Sequence, residues 1–158
     1  MNRAYDYIEM LYPARAEYVG VIRLSLSGIA NRMGFSYDEI EDMKIALSEA
    51  CTNAVEHAYK GKENGSIRIG FGIYANRLEL IVADNGESFN FEAVKEELGP
   101  YSKSQPVETL PEGGLGLFLI QTLMDDVKVH NHQGVTVFMT KYRQGEQVER
   151  DAEAISAQ

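Results

Sequence analysis

Apolar residues recur three and four apart through Val19, Ile22, Leu26, Ile29 and Met33, the stripe of an amphipathic helix that Gly34 is placed to stop. Ahead of it, Ile8 to Tyr12 reads as a short strand ended by Pro13. Ser36 then reads as an N-cap, and Glu39 three residues on completes a capping box. The helix it opens carries Ile40, Met43, Leu47, Ala50 and Ala54 on one stripe and continues to about Ala58. After a charged turn from Lys60 to Gly65 the period changes to two: Ile67, Ile69, Phe71 and Ile73, then Leu78, Leu80 and Val82 beyond a turn at Ala75 and Asn76. These two runs predict an antiparallel hairpin ending at Ala83 and Asp84.

From Asn85 to Gly114 the pattern is lost, apart from a weak helical stretch around Phe91 to Leu98, and a long irregular segment in a compact domain reads as a lid. Helicity resumes over Leu115 to Met124, followed by strands at Val127 to His130 and Val135 to Tyr142 around a turn at Asn131 to Gly134. The expected architecture is an α/β (α+β) two-layer sandwich, a mixed, mostly antiparallel sheet with helices on one face. A length of 158 residues fits one domain, expected over residues 1–145, with residues 146–158 a polar tail.

Composition narrows the partners. The formal charge of −9, with no dense Lys/Arg cluster, argues against a nucleic-acid backbone and for a protein or small molecule. Cys51 is the one cysteine and lies in an apolar helical run, so it reads as a small buried hydrophobe. Tyr5, Asp6 and Glu9 replace the basic start of a signal peptide and no apolar run spans a membrane, so the expected location is the cytosol.

Three short motifs carry candidate chemistry. Glu49 and Asn53, four apart on the second helix, sit roughly 40° apart around its axis and about 6 Å apart along it. A carboxylate able to take a proton beside an amide oxygen able to ligate a hard cation is half of a phosphoryl-transfer site, though a solvated helix face carries such pairs too. Asp84-Asn85-Gly86 closes a strand: the carboxylate suits an exocyclic amine such as that of adenine and the glycine admits a flat ring, but the same triplet is an ordinary turn. Gly113-Gly114-Leu115-Gly116-Leu117 opens a helix, where exposed amides and the positive end of the helix dipole suit phosphate oxygens, or where glycines simply loosen the start.

Common alternatives fail on the residues. The glycines lack the Lys-Ser/Thr pair of a P-loop and the Rossmann position after a first strand. His57, His130 and His132 are scattered and one cysteine builds no zinc site, while no nucleophile elbow supports a serine hydrolase. His57, four beyond Asn53, reads as a helix-end histidine.

The order of the three motifs resembles the Bergerat ATP-binding fold of the GHKL superfamily, with Glu49 to Asn53 similar to its N box, Asp84 to Gly86 to the first glycine box and Gly113 to Gly116 to the second. Within it, Pro13-Ala14, Glu17-Tyr18-Val19, Ile22-Arg23-Leu24, Tyr37 to Asp42, Leu98 to Tyr101 and Leu123-Met124-Asp125 resemble the anti-sigma-factor serine kinases of general stress control, from about Asp6 to Gly145.

That resemblance implies ATP and ADP as nucleotides and Mg²⁺ as the metal. It implies Glu49 as the base that takes the serine proton, Asn53 as the Mg²⁺ ligand, and Asp84 at the adenine amine with Gly86 beneath the ring. Gly114, Leu115, Gly116 and Leu117 would form the phosphate-binding helix start. Thr136 would lie near the adenine, where a β-branched strand residue serves structure as well. Arg23 would contact protein partners, or snorkel at the edge of the core. The implied partners are a sigma factor of the sigma-B type and an anti-anti-sigma protein phosphorylated on serine. A homodimer is also implied, with the first helix expected to contribute most. No lysine or arginine lies in the second glycine box, so a transition-state cation would come from Mg²⁺, Lys103 or the partner. Two other functions fit less well: a nucleotide-gated sigma-binding module without kinase activity, which would not need Glu49, and a stand-alone histidine-kinase-like catalytic domain, which would need its phosphoacceptor in trans.

Overall fold

The computed structural model describes residues 6–59, 65–84, 114–131 and 135–143. The expected lid with Gly86, Lys103 and Gly113, the turn residue Gly134 and the tail 146–158 lie outside them. Strand β1 (Asp6–Pro13) leads through a short 3₁₀ turn (Ala16–Tyr18) into helix α1 (Val19–Met33), then α2 (Tyr37–Tyr59). Strands β2 (Ser66–Ile73) and β3 (Arg77–Ala83), helix α3 (Gly114–Leu123), and strands β4 (Asp126–Asn131) and β5 (Val135–Tyr142) follow.

The five strands lie in the order β1-β2-β3-β5-β4. The expected mostly antiparallel sheet is antiparallel at all four described pairings. The β1 strand is longer than its apolar pattern suggests because the ladder to β2 runs its whole length, from Asp6 opposite Ile73 to Pro13 opposite Ser66. Alternate positions Ile67, Ile69 and Phe71 of β2, Leu78, Leu80 and Val82 of β3, and Val137 and Met139 of β5 join Ile22, Leu26, Met43, Leu47, Ala50 and Ile120 in one buried core. The helices that bury this face make the second layer of the sandwich.

Local chemistry fixes the helix ends. Gly34 adopts the left-handed region at φ 90°, its N–H donates to Asn31 O at 3.1 Å, and Phe35 N–H reaches back to Ala30 O at 3.2 Å. This is a Schellman stop, and the buried Phe35 supplies its apolar contact. Two residues later the capping box forms as expected: Glu39 N–H donates to Ser36 Oγ at 3.2 Å, and Ser36 N–H donates to Glu39 Oε1 at 2.8 Å. Together they turn the chain sharply between α1 and α2.

The sheet is also buried where the alternation called for solvent. Glu79 is 2% exposed and pairs with Arg77 at 2.9 Å, and the Arg77 guanidinium lies 3.7 Å over the Tyr74 ring. A buried carboxylate is tolerated there because a cation meets it.

Candidate nucleotide site

Helix α2 carries the first half of the site. Its stripe of Met43, Ala46, Leu47, Ala50, Cys51 and Ala54 is fully inside the core, which leaves Glu49 and Asn53 on a neighbouring face. That face is half-buried against α3 and is not the solvated surface that an isolated Glu/Asn pair suggests. A Cβ built on Gly116 would lie 3.0 Å from Glu49 Oε2 and 3.2 Å from Asn53 Nδ2. The missing side chain at Gly116 is therefore what lets the two polar groups sit against the first turn of α3.

The same turn supplies donors. In any α-helix the first four N–H groups have no acceptor within the helix, and in α3 these belong to Gly114, Leu115, Gly116 and Leu117. They sit at the positive end of the helix dipole. Leu117, for its part, is buried in the core and holds the turn down. A carboxylate, an amide and a row of backbone donors thus meet within one helical turn of each other.

Asp84 marks the second pole. It is buried at the end of β3, and its Oδ1 accepts a hydrogen bond from Val135 N–H at 2.9 Å while its own N–H donates to Val135 O at 3.3 Å. The carboxylate is thereby oriented by β5; two oxygens with about four lone-pair positions leave it capacity for a further donor. Thr136, the next residue of β5, is half-buried and stands opposite Ala83 on β3, the residue before Asp84. Sequence reasoning missed Val135, because a backbone donor leaves no trace in residue type.

Arg23 lies apart from this site. It is exposed on α1, at the rim of a groove of about 740 Å³ between α1 and α2 that Val21, Leu24, Lys44 and Ile45 also line. Leu24 is 72% exposed and Ile45 45%. The surface is apolar with charges of both signs around it, Arg23 and Lys44 against Glu17 and Glu41, and Lys44 is paired with Glu41 at 3.1 Å. The core positions of α1 belong to Ile22, Leu26 and Ala30.

Any metal here would need ligands beyond the described residues, among which no cluster of three or more His, Cys, Asp or Glu could hold one. One amide oxygen beside one carboxylate suits Mg²⁺, which keeps waters and takes phosphate oxygens. Cys51 takes no part, since burial pushes its thiol up to about 12 and keeps it protonated.

A Glu/Asn helix packed on a glycine-opened helix, with a buried strand-end aspartate in the same sheet fold, fits a histidine kinase-like ATPase domain, and the family of that description matches residues 12–141. The chain is 62% identical over 151 residues to the serine-protein kinase RsbW of Bacillus subtilis (strain 168), covering 96% of this chain and 94% of that protein. It is 60% identical over 152 residues to the serine-protein kinase RsbW of Oceanobacillus iheyensis, covering 96% of each. Within the class, the chain belongs to the RsbW family of serine-protein kinases. Among solved structures, the RsbU and RsbW domains of Rv1364c from Mycobacterium tuberculosis share the fold, with a TM-score of 0.62 at 18% identity over 88% of this chain and 33% of that one.

Proposed function

We infer that the protein is an ATP-dependent serine kinase and anti-sigma factor, which holds a sigma factor of the general-stress type and phosphorylates its anti-anti-sigma antagonist on serine. The observation that carries the chemical part is the packing of Glu49 and Asn53 against Gly116. A base, a metal-ligating amide and phosphate-binding amides are needed together, and these residues bring them to one place.

In this reading the adenine amine donates to Asp84, with Gly86 under the ring and Thr136 beside it. The first-turn amides of α3, at Gly114, Leu115, Gly116 and Leu117, receive phosphate oxygens. Asn53 would ligate Mg²⁺, which neutralises phosphate charge when bound. Glu49 accepts the proton of the incoming serine hydroxyl as its oxygen bonds to the γ-phosphorus and the bond to the ADP oxygen breaks. A carboxylate one turn from the metal ligand is well placed for that hydroxyl.

Arg23, with the apolar rim of the α1–α2 groove, is the proposed partner contact; an apolar segment with an acidic group set opposite Arg23 fits that surface. Homodimerisation, Mg²⁺ dependence, a cytoplasmic location and a kinase domain over residues 1–145 followed by a tail belong to the same reading. On location, no described helix is long and apolar enough to cross a membrane. Incubation with Mg-ATP and the anti-anti-sigma protein from the same cell, read by mass spectrometry, should give phosphoserine on that protein. Absence of phosphoserine with both partners folded and bound would overturn the kinase assignment.

A further inference from the structure

Glu49 lies seven positions after Asp42 on α2, and Leu123 seven positions after Gly116 on α3; each span is roughly 10 Å of helix. At one end of these spans Gly116 meets Glu49 and Asn53. At the other, Lys141 Nζ donates to Leu123 O, the last residue of α3, at 2.7 Å and lies 3.9 Å from Asp42 Oδ2. The two helices therefore run antiparallel in matched register, close at one end and linked through Lys141 at the other, with the fully buried Ala46 and Ile120 midway.

Lys141 is an oddity on β5. It occupies the helix-facing row after Val135, Val137 and Met139, where an apolar residue is expected, and its side chain is only 13% exposed. A cation at a helix C-terminus is favourable, but placing one here costs desolvation that a leucine or methionine would avoid. What the lysine adds is a connection between the helix holding the base and the helix holding the phosphate amides. Further bonds fix the α3–β4 corner to the same strand: Asp125 N–H donates to Thr140 O at 3.0 Å, and Tyr142 N–H to Asp125 Oδ2 at 2.6 Å.

We propose that Lys141, with Asp42, is a positioning residue that sets the register of α3 against α2 and thereby places the first-turn amides of α3 for the nucleotide phosphates. It touches neither nucleotide nor substrate. This rests on the nucleotide site described above. Because the α3 amides bind phosphate before any bond changes, a register error appears in nucleotide affinity and KM rather than in turnover at saturating ATP.

The test compares Lys141→Met, Lys141→Arg and Asp42→Asn with the wild type, by calorimetric Mg-ATP binding, by KM and kcat for ATP, and by thermal unfolding. Lys141→Met should weaken binding and raise KM about fivefold or more, with kcat within about twofold. Lys141→Arg, which keeps the cation and its donors, should restore most of the affinity. A folded Lys141→Met that binds ATP as the wild type does overturns the proposal, as does Lys141→Arg failing equally, since packing alone would then explain both. Should Lys141→Met not fold, Asp42→Asn weakening ATP binding while Lys141→Arg spares it supports the proposal, and the reverse overturns it. A wild type that binds no Mg-ATP overturns the nucleotide site itself and the proposal with it.

Discussion

Gly116 and Glu49 stand so close that a single methyl on the glycine would come within 3.0 Å of the carboxylate oxygen. The contact is tight, yet the group that must yield is the end of a flexible side chain. Fold stability and catalysis should therefore respond in opposite directions. Gly116→Ala gains helix propensity of up to about 1 kcal/mol, so its unfolding midpoint should match or exceed the wild type. Phosphoryl transfer should fall about tenfold or more as Glu49 is pushed aside. Parallel thermal melts and transfer rates check this, and a variant with unchanged rate would remove Gly116 from the site.

Asp84 gives a test of nucleobase recognition with little cost to the fold. Asparagine keeps an oxygen able to accept from Val135 N–H, so Asp84→Asn should lose no more than about 1 kcal/mol of stability. Its amide would set a donor against the donor of the adenine amine. ATP affinity should fall about tenfold or more, because a buried hydrogen-bonding site discriminates strongly against a mismatched partner. Titration calorimetry reads the outcome; equal affinity would place the adenine elsewhere.

Much of this fold is legible in the chain because local rules act on neighbours. Gly34, Ser36 and Glu39 stop one helix and start the next through contacts spanning a few residues, and the period-two runs of β2 and β3 pair as written. The residues of the candidate nucleotide site are visible as types, Glu49, Asn53 and Asp84 above all. Their arrangement is not, since it arises from distant parts of the chain. Gly116 reads in sequence as a source of amides, and only packing reveals that its lack of a side chain makes room for Glu49 and Asn53. Val135 acts through its backbone, 51 positions from Asp84, and Lys141 breaks an apolar row for a reason visible only where two helices meet.

Cys51 predicts an alkaline limb in stability. Burial raises its thiol from 9.0 to about 12, so between those values the folded state keeps a proton that the unfolded chain has released. Its contribution is whole below pH 9 and is lost as pH rises towards 12, by up to about 1.4 kcal/mol per unit. Tyr7 acts in the same direction, its phenol raised first by burial and then by Glu9. Denaturant midpoints should fall above pH 9, less steeply in Cys51→Ala, and a thiol reagent should label the wild type only on unfolding. Rapid labelling of the native protein at neutral pH would contradict the burial.

Glu49 and Asn53 share a helix face but are assigned separable tasks. Asn53→Ala should weaken Mg-ATP binding, and through it transfer, about tenfold or more, because an amide ligand is lost. The most direct check of the whole account is Glu49→Gln, with ATP affinity and phosphoserine formation measured on one preparation. Binding should stay within about twofold of the wild type while transfer falls by about 10² or more, the scale of a lost general base. Transfer at the wild-type rate with ATP bound would contradict the account.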